Sequence, residues 1–121
     1  MLPMRMRVAD AGEIAPGTSR KFVFTADGFD TEGFIVNVDG ALHAYVNRCR
    51  HVPAGLDWVE NQFFTEDGRY LQCATHGALY VPESGECVAG PPCGKTLIRI
   101  PLMFEGGAVW AECPDHLPLG T

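Results

Sequence analysis

Two short cysteine-histidine pairs constrain this chain more than any other feature. Cys49-Arg50-His51 reads C-x-H and Cys73-Ala74-Thr75-His76 reads C-x-x-H, with 21 residues between the pairs. Two thiolates and two imidazoles form a four-ligand metal set. Such a set suits a tetrahedral zinc, and equally a 2Fe-2S cluster in which two cysteines bind one iron and two histidines the other.

The 121 residues fit one domain, 1–121, long enough to bury roughly two thirds of the surface of the unfolded chain. No stretch approaches the ~20 apolar residues that cross a bilayer, so a soluble protein without a membrane partner is expected. Residues 1–8 hold Arg5 and Arg7 but no apolar signal core, which supports a cytoplasmic location. The net charge of −6 argues against nucleic acid, whose phosphates need a positive footprint. The acidic surface reads first as a solubility feature, with steering toward a basic partner a lesser role. Cys49, Cys73, Cys87, Cys93 and Cys113 are an odd set, and a reducing compartment leaves no disulfide framework to expect.

Strand signals fill most of the chain. Residues 20–24 and 33–38 are aromatic and β-branched, and Asp39-Gly40 predicts a type I′ hairpin that returns through 41–46 to Cys49. Asp67-Gly68 predicts a second hairpin whose return strand, 69–72, delivers Cys73. A third joins 78–81 to 86–89 across Pro82-Glu83-Ser84-Gly85, and Gly90-Pro91-Pro92 stops it. The tail predicts strands 96–104 and 108–111 around Glu105-Gly106-Gly107. Residues 53–59 are the best helical candidate, but Gly55 interrupts them and they read as loop.

On these residues the chain resembles the Rieske iron-sulfur family, most closely its single-domain ferredoxins. The two motifs carry the resemblance. Gly77 after the second histidine, the Ser84-Gly85-Glu86-Cys87 turn and the Gly90-Pro91-Pro92 proline loop agree with it. The resemblance implies an all-β, antiparallel sandwich or barrel with a small cluster-binding lobe at about 46–93. It also implies one 2Fe-2S cluster per chain, held by Cys49, His51, Cys73 and His76. Gly77, Tyr80, Pro91 and Pro92 would surround that cluster: Gly77 would permit a tight loop whose amides point at cluster sulfurs, and Tyr80 would be a side-chain donor. His51 and His76 would be the electron's exit.

Departures from the family carry information too. High-potential members have a further cysteine in each ligand loop, forming a disulfide, where this chain has Ala54 and Thr75, and a serine where it has Ala78. A low potential follows, near the bottom of the span of about −150 to +300 mV. Histidine ligation separately implies a potential that falls as pH rises, because the nitrogen not bound to iron loses its proton more readily beside a ferric centre. Arg50 stands where the family usually has Pro or Thr and reads as a solvated side chain. Residues 55–68 are an additional stretch whose Trp58, Phe63 and Phe64 are expected to complete packing.

The resemblance implies a one-electron carrier from a reductase to an oxygenase or related redox enzyme. It would be no enzyme and have no small-molecule substrate, because the chain has neither the length nor the histidines for a mononuclear-iron domain: only four histidines exist and two are committed. The alternative is a non-catalytic redox subunit of a larger oxidoreductase, like the small subunit of nitrite reductase. A zinc module fits poorly, since zinc fingers usually pair like ligands. Cys87, Cys93 and Cys113 match no zinc spacing and are expected to be buried or idle. His43 and His116 are expected to be structural or solvated, and Glu60, Glu66, Asp67, Glu83 and Glu86 lie in turns without acid-base character.

Overall fold

A computed structural model describes residues 4–48, 55–57, 62–74, 77–91 and 94–117. Among the described residues there are nine strands: β1 (Met4–Asp10), β2 (Ser19–Ala26), β3 (Phe29–Val38), β4 (Ala41–Val46), β5 (Leu71–Gln72), β6 (Leu79–Tyr80), β7 (Cys87–Ala89), β8 (Leu102–Glu105) and β9 (Ala108–Cys113). All pairings are antiparallel, in three sheets ordered β1-β9-β8, β2-β3-β4 and β5-β6-β7. The described residues contain no helix, so the all-β expectation holds.

The central sheet explains the architecture. In β3, Gly33, Phe34, Ile35, Val36 and Asn37 are all buried, which a strand achieves only when both its faces are covered. Ile35, with Ala44 and Val46 of β4, turns toward Ala9, Val109 and Ala111 of the β1-β9-β8 sheet and forms the first core. Phe34, Val36 and Tyr45 point the other way, toward Phe63, Leu71, Cys73 and Tyr80 in a second core. One sheet therefore serves as the inner layer of a sandwich and as the floor of a smaller lobe that contains Cys73.

Turn chemistry sets the registers. Asp39 and Gly40 both have positive φ (52° and 93°), as a type I′ turn requires, and Val38 pairs with Ala41. Asp27 and Gly28 do the same between β2 and β3, with φ of 52° and 81°. The hairpin expected at Asp67-Gly68 is looser: Thr65 and Gln72 donate to the carbonyls of Tyr70 and Phe63, and only Leu71–Gln72 remain strand.

One strand is unanticipated and one expectation needs correction. Residues 4–10 form β1, which closes on β9 with an irregularity between Arg7 and Ala9. The run 96–104 is not one strand; only Leu102–Glu105 is. Its first half has three different neighbours. The Cys87 amide donates to Lys95, Leu97 to Gly85, Val46 to Ile98, Ile100 to Ala44 and Glu112 to Pro101. Pro101, which has no amide to give, marks the crossing to the third of these.

Candidate metal centre

Cys73 is the only one of the four motif ligands among the described residues; Cys49, His51 and His76 lie outside them, as do Arg50, Ala54, Trp58, Thr75 and Pro92. Cys73 directly follows β5 and is fully buried. Its amide donates to the Ala78 carbonyl at 2.9 Å and its carbonyl accepts the Gly77 amide at 2.8 Å, so residues 73–78 form a closed loop. Gly77 has φ of 71°, and a Cβ there would find nothing nearer than 4.0 Å. The site needs glycine's conformation and has room for a side chain.

The amides of Cys73, Ala74 and Gly77 all donate to protein carbonyls. The first and third of these close the loop, and the second ties it to Leu56. Tyr80 is fully buried in the same core as Cys73, between Leu71 and Cys87 in the sheet. Gly90 opens the proline loop with φ of 96°, and its added Cβ would lie 2.8 Å from the Cα of Ala78. The proline loop thus presses on the second ligand loop at a point that admits only glycine. Pro91 is exposed on this turn.

A polar network that the sequence did not disclose joins the described residues on either side of the first motif. Asn47, just before the motif, is 8% exposed; its Oδ1 accepts the Leu56 amide at 2.8 Å. Its Nδ2 donates to Asp57 and to Glu32, each at 3.0 Å. Lys21 completes the group, 3.1 Å from Asp57 and 3.4 Å from Glu32. Burial alone would lower the Lys21 pKa, but the hydrogen bond and charge of Asp57, aided by Glu32, raise it. The Leu56 carbonyl then accepts the Ala74 amide at 2.9 Å, linking the segment after the first motif to the residue after Cys73.

Other sequence candidates have structural places. Cys87 is buried and its thiol donates to Ala89 at 3.1 Å; Cys113 is buried, which pushes its pKa up to about 11. His43 is half-buried on β4 and its pKa is lowered, first by burial and then by the Arg99 charge. His116 is exposed and lies 2.5 Å from Asp27. Phe63 stacks on Phe34, which bears out a packing role for that aromatic.

Fold and site together define a class: a small all-β domain in which a lobe presents a buried cysteine on a tight loop. The chain belongs to the Rieske 2Fe-2S domain family, which it matches over residues 4–116. It is 34% identical over 88 residues to the cytochrome b6-f complex iron-sulfur subunit of Chlorobaculum thiosulfatiphilum, covering 71% of this chain and 41% of that protein. The chain thus spans about two fifths of the length of that curated relative.

Among solved structures, the fold is similar to the ferredoxin of carbazole 1,9a-dioxygenase from Nocardioides aromaticivorans IC177. The TM-score is 0.67 at 21% identity, over 92% of this chain and 98% of that one. A chain in the complex of reduced oxygenase and oxidized ferredoxin of carbazole 1,9a-dioxygenase gives 0.72 at 22%, over 95% and 98%. The terminal oxygenase of that system from Novosphingobium sp. KA1 gives 0.68 at 21%, with 97% of this chain covering 31% of it.

Family membership gives the chain one 2Fe-2S cluster and sets the zinc reading aside. The donor chemistry fits: two thiolates and two imidazoles are what a mixed-ligand cluster takes, and Cys73 sits on a closed, buried loop. Among the described residues no helix is long and apolar enough to cross a membrane.

Proposed function

We propose that this protein is a one-electron carrier whose cluster is held by Cys49 and Cys73 on one iron and by His51 and His76 on the other. When bound, the cluster takes up and gives up a single electron. The chain's own residues would keep it in place: Gly77 lets the second loop close on Cys73 and Gly90 packs against that loop at Ala78, with Pro91 and Pro92 assigned to the same surround. Tyr80 fills the floor of the lobe, which runs from about residue 46 to 93 of a single domain. His51 and His76 face the partner and pass the electron on.

The observation that carries this reading is the complete ligand set within a family that holds a 2Fe-2S cluster. The partners we infer are a reductase as donor and an oxygenase or related redox enzyme as acceptor, by analogy with the ferredoxin found in complex with oxygenase. The protein would turn over no small-molecule substrate, and a cytoplasmic location is part of the proposal. Electron paramagnetic resonance of the dithionite-reduced protein tests it. A mixed cysteine-histidine cluster gives a lower average g value than an all-cysteine one; a silent, colourless sample would refute the reading.

A second reading, a redox subunit lodged in a larger oxidoreductase, is favoured by the complex-subunit relative and by Phe29, which is 75% exposed. Native co-purification separates the two, since a carrier is recovered alone and a lodged subunit with its large chain.

A further inference from the structure

The buried amide of Asn47 joins four parts of the chain. Its own N–H donates to the Glu32 carbonyl on β3 at 2.8 Å, fixing the residue to the central sheet. Its side-chain oxygen and both side-chain hydrogens are engaged, by Leu56, Asp57 and Glu32. With its oxygen and both hydrogens engaged, the amide cannot turn over without exchanging donors for acceptors at all three partners. Its contacts lie on both sides of residues 49–54. Leu56 extends the tie to Ala74, next to Cys73. Gly55 leaves little slack, since a Cβ there would sit 3.1 Å from Asn47 Nδ2.

We propose that Asn47 is a positioning residue for the cluster. Its side-chain amide staples together the two ends of the segment carrying Cys49 and His51 and, through Leu56, fixes that segment against the loop of Cys73. The inference rests on the ligand reading given above and deepens it. Asp57, whose side chain is 3% exposed, is the anchor; Lys21 ties it to β2 and itself pairs with Glu32 of β3. Both ends of the loop are thereby set by protein contacts alone. A loop whose flanks are fixed without the metal should release iron more slowly than one whose flanks are free.

The test compares intact, cluster-loaded protein with Asn47→Ala, Asn47→Asp and the gentler Gly55→Ala, which presses on the amide without removing it. Asn47→Asp keeps the size but turns an acceptor toward Asp57 and Glu32. Val109→Ala, confined to the first core, is the control for general destabilisation. The readouts are the rate of iron release to a ferrous chelator well below the melting temperature and the line shape of the reduced-state resonance spectrum.

Loss of an outer partner of a metal ligand set typically weakens it about 10–100-fold. Iron release about 10–100-fold faster in both Asn47 variants, a smaller acceleration in Gly55→Ala and an altered line shape are expected. Val109→Ala should lower the melting temperature and leave release and line shape unchanged. Release at the wild-type rate in Asn47→Ala or, should it not fold, in Gly55→Ala overturns the proposal. So does release that simply follows melting temperature across all variants, the control included. Wild-type protein without a Rieske-type signal would sink the ligand reading itself, a distinguishable result.

Discussion

The ring of Phe34 lies 4.1 Å from that of Phe63, 11° from parallel. Phe34 belongs to the central sheet and Phe63 to the stretch between the two motifs, so this stack fastens the lobe to its floor. Truncating a buried phenylalanine costs about 3–5 kcal/mol, and the stack adds to plain burial. Phe63→Ala should lose that much in urea unfolding; a loss below about 1 kcal/mol would show that the lobe is held by something else.

The two glycines around the second loop should respond differently to alanine. At Gly77 only a positive φ is strained, costing about 1–2 kcal/mol, and asparagine, which tolerates that region, should restore most of the stability. At Gly90 the same strain is joined by a contact of 2.8 Å with the Ala78 backbone. Gly90→Ala should therefore be the more damaging, in both unfolding midpoint and iron content. Equal effects would contradict the packing described.

Tyr45 donates from its buried hydroxyl to the Pro82 carbonyl at 2.8 Å. Tyr45→Phe leaves that acceptor unpaired and should cost about 1–3 kcal/mol. Burial, the main cause, pushes the Tyr45 pKa up from 10.0 to about 12. The raised value means that its contribution to stability is complete below the ordinary 10.0 and is lost as pH rises toward 12. Ultraviolet titration of wild type and Tyr45→Phe should differ by one late-ionising phenol.

The end of the described chain is pinned by Asp27. Its carboxylate meets His116 and the Leu117 amide, at 2.5 and 3.1 Å, and Leu117 is buried against the first core. The hydrogen bond from His116, then that of the Leu117 amide, hold the Asp27 carboxyl below its ordinary 3.8. A lowered carboxyl pKa contributes stability above 3.8 that disappears as pH falls through the lowered value. Hydrogen exchange at Leu117 should accelerate in acid, and Asp27→Asn should show that loss already at neutral pH. Unchanged protection in Asp27→Asn would exclude the pin.

Voltammetry should give a potential nearer about −150 than +300 mV, because Ala78 offers no hydroxyl and Ala54 and Thr75 no disulfide. Ala78→Ser, adding a donor beside the loop of Cys73, should raise it. A wild-type value above about +100 mV would overturn this.

The ligand motifs, the Asp39-Gly40 hairpin and the strand order around it were legible because each rests on local chemistry. The Asp27-Gly28 turn carried the same signal as Asp39-Gly40 and was available to the same argument. Met4, Met6 and Val8 alternate with Arg5 and Arg7, a period-two pattern that marks β1, although its partner lies about a hundred residues away. The break in 96–104 was visible only as Pro101, since nothing local says that a strand-like run will serve three neighbours in turn. The Asn47 network was hidden for a related reason. Lys21, Glu32, Asn47 and Asp57 have no common spacing and meet only after β2, β3 and β4 have paired.

The pairing of β1 with β9 has a consequence for how the protein is made. The first strand waits for the last one, and residues 95–101, arriving late from the ribosome, supply bonds to the lobe and to β4. Contacts so distant in sequence make folding slow relative to locally paired chains. Leu97, which packs in the core around Cys73, is one of these late residues, so that core is complete only after residue 97 has emerged.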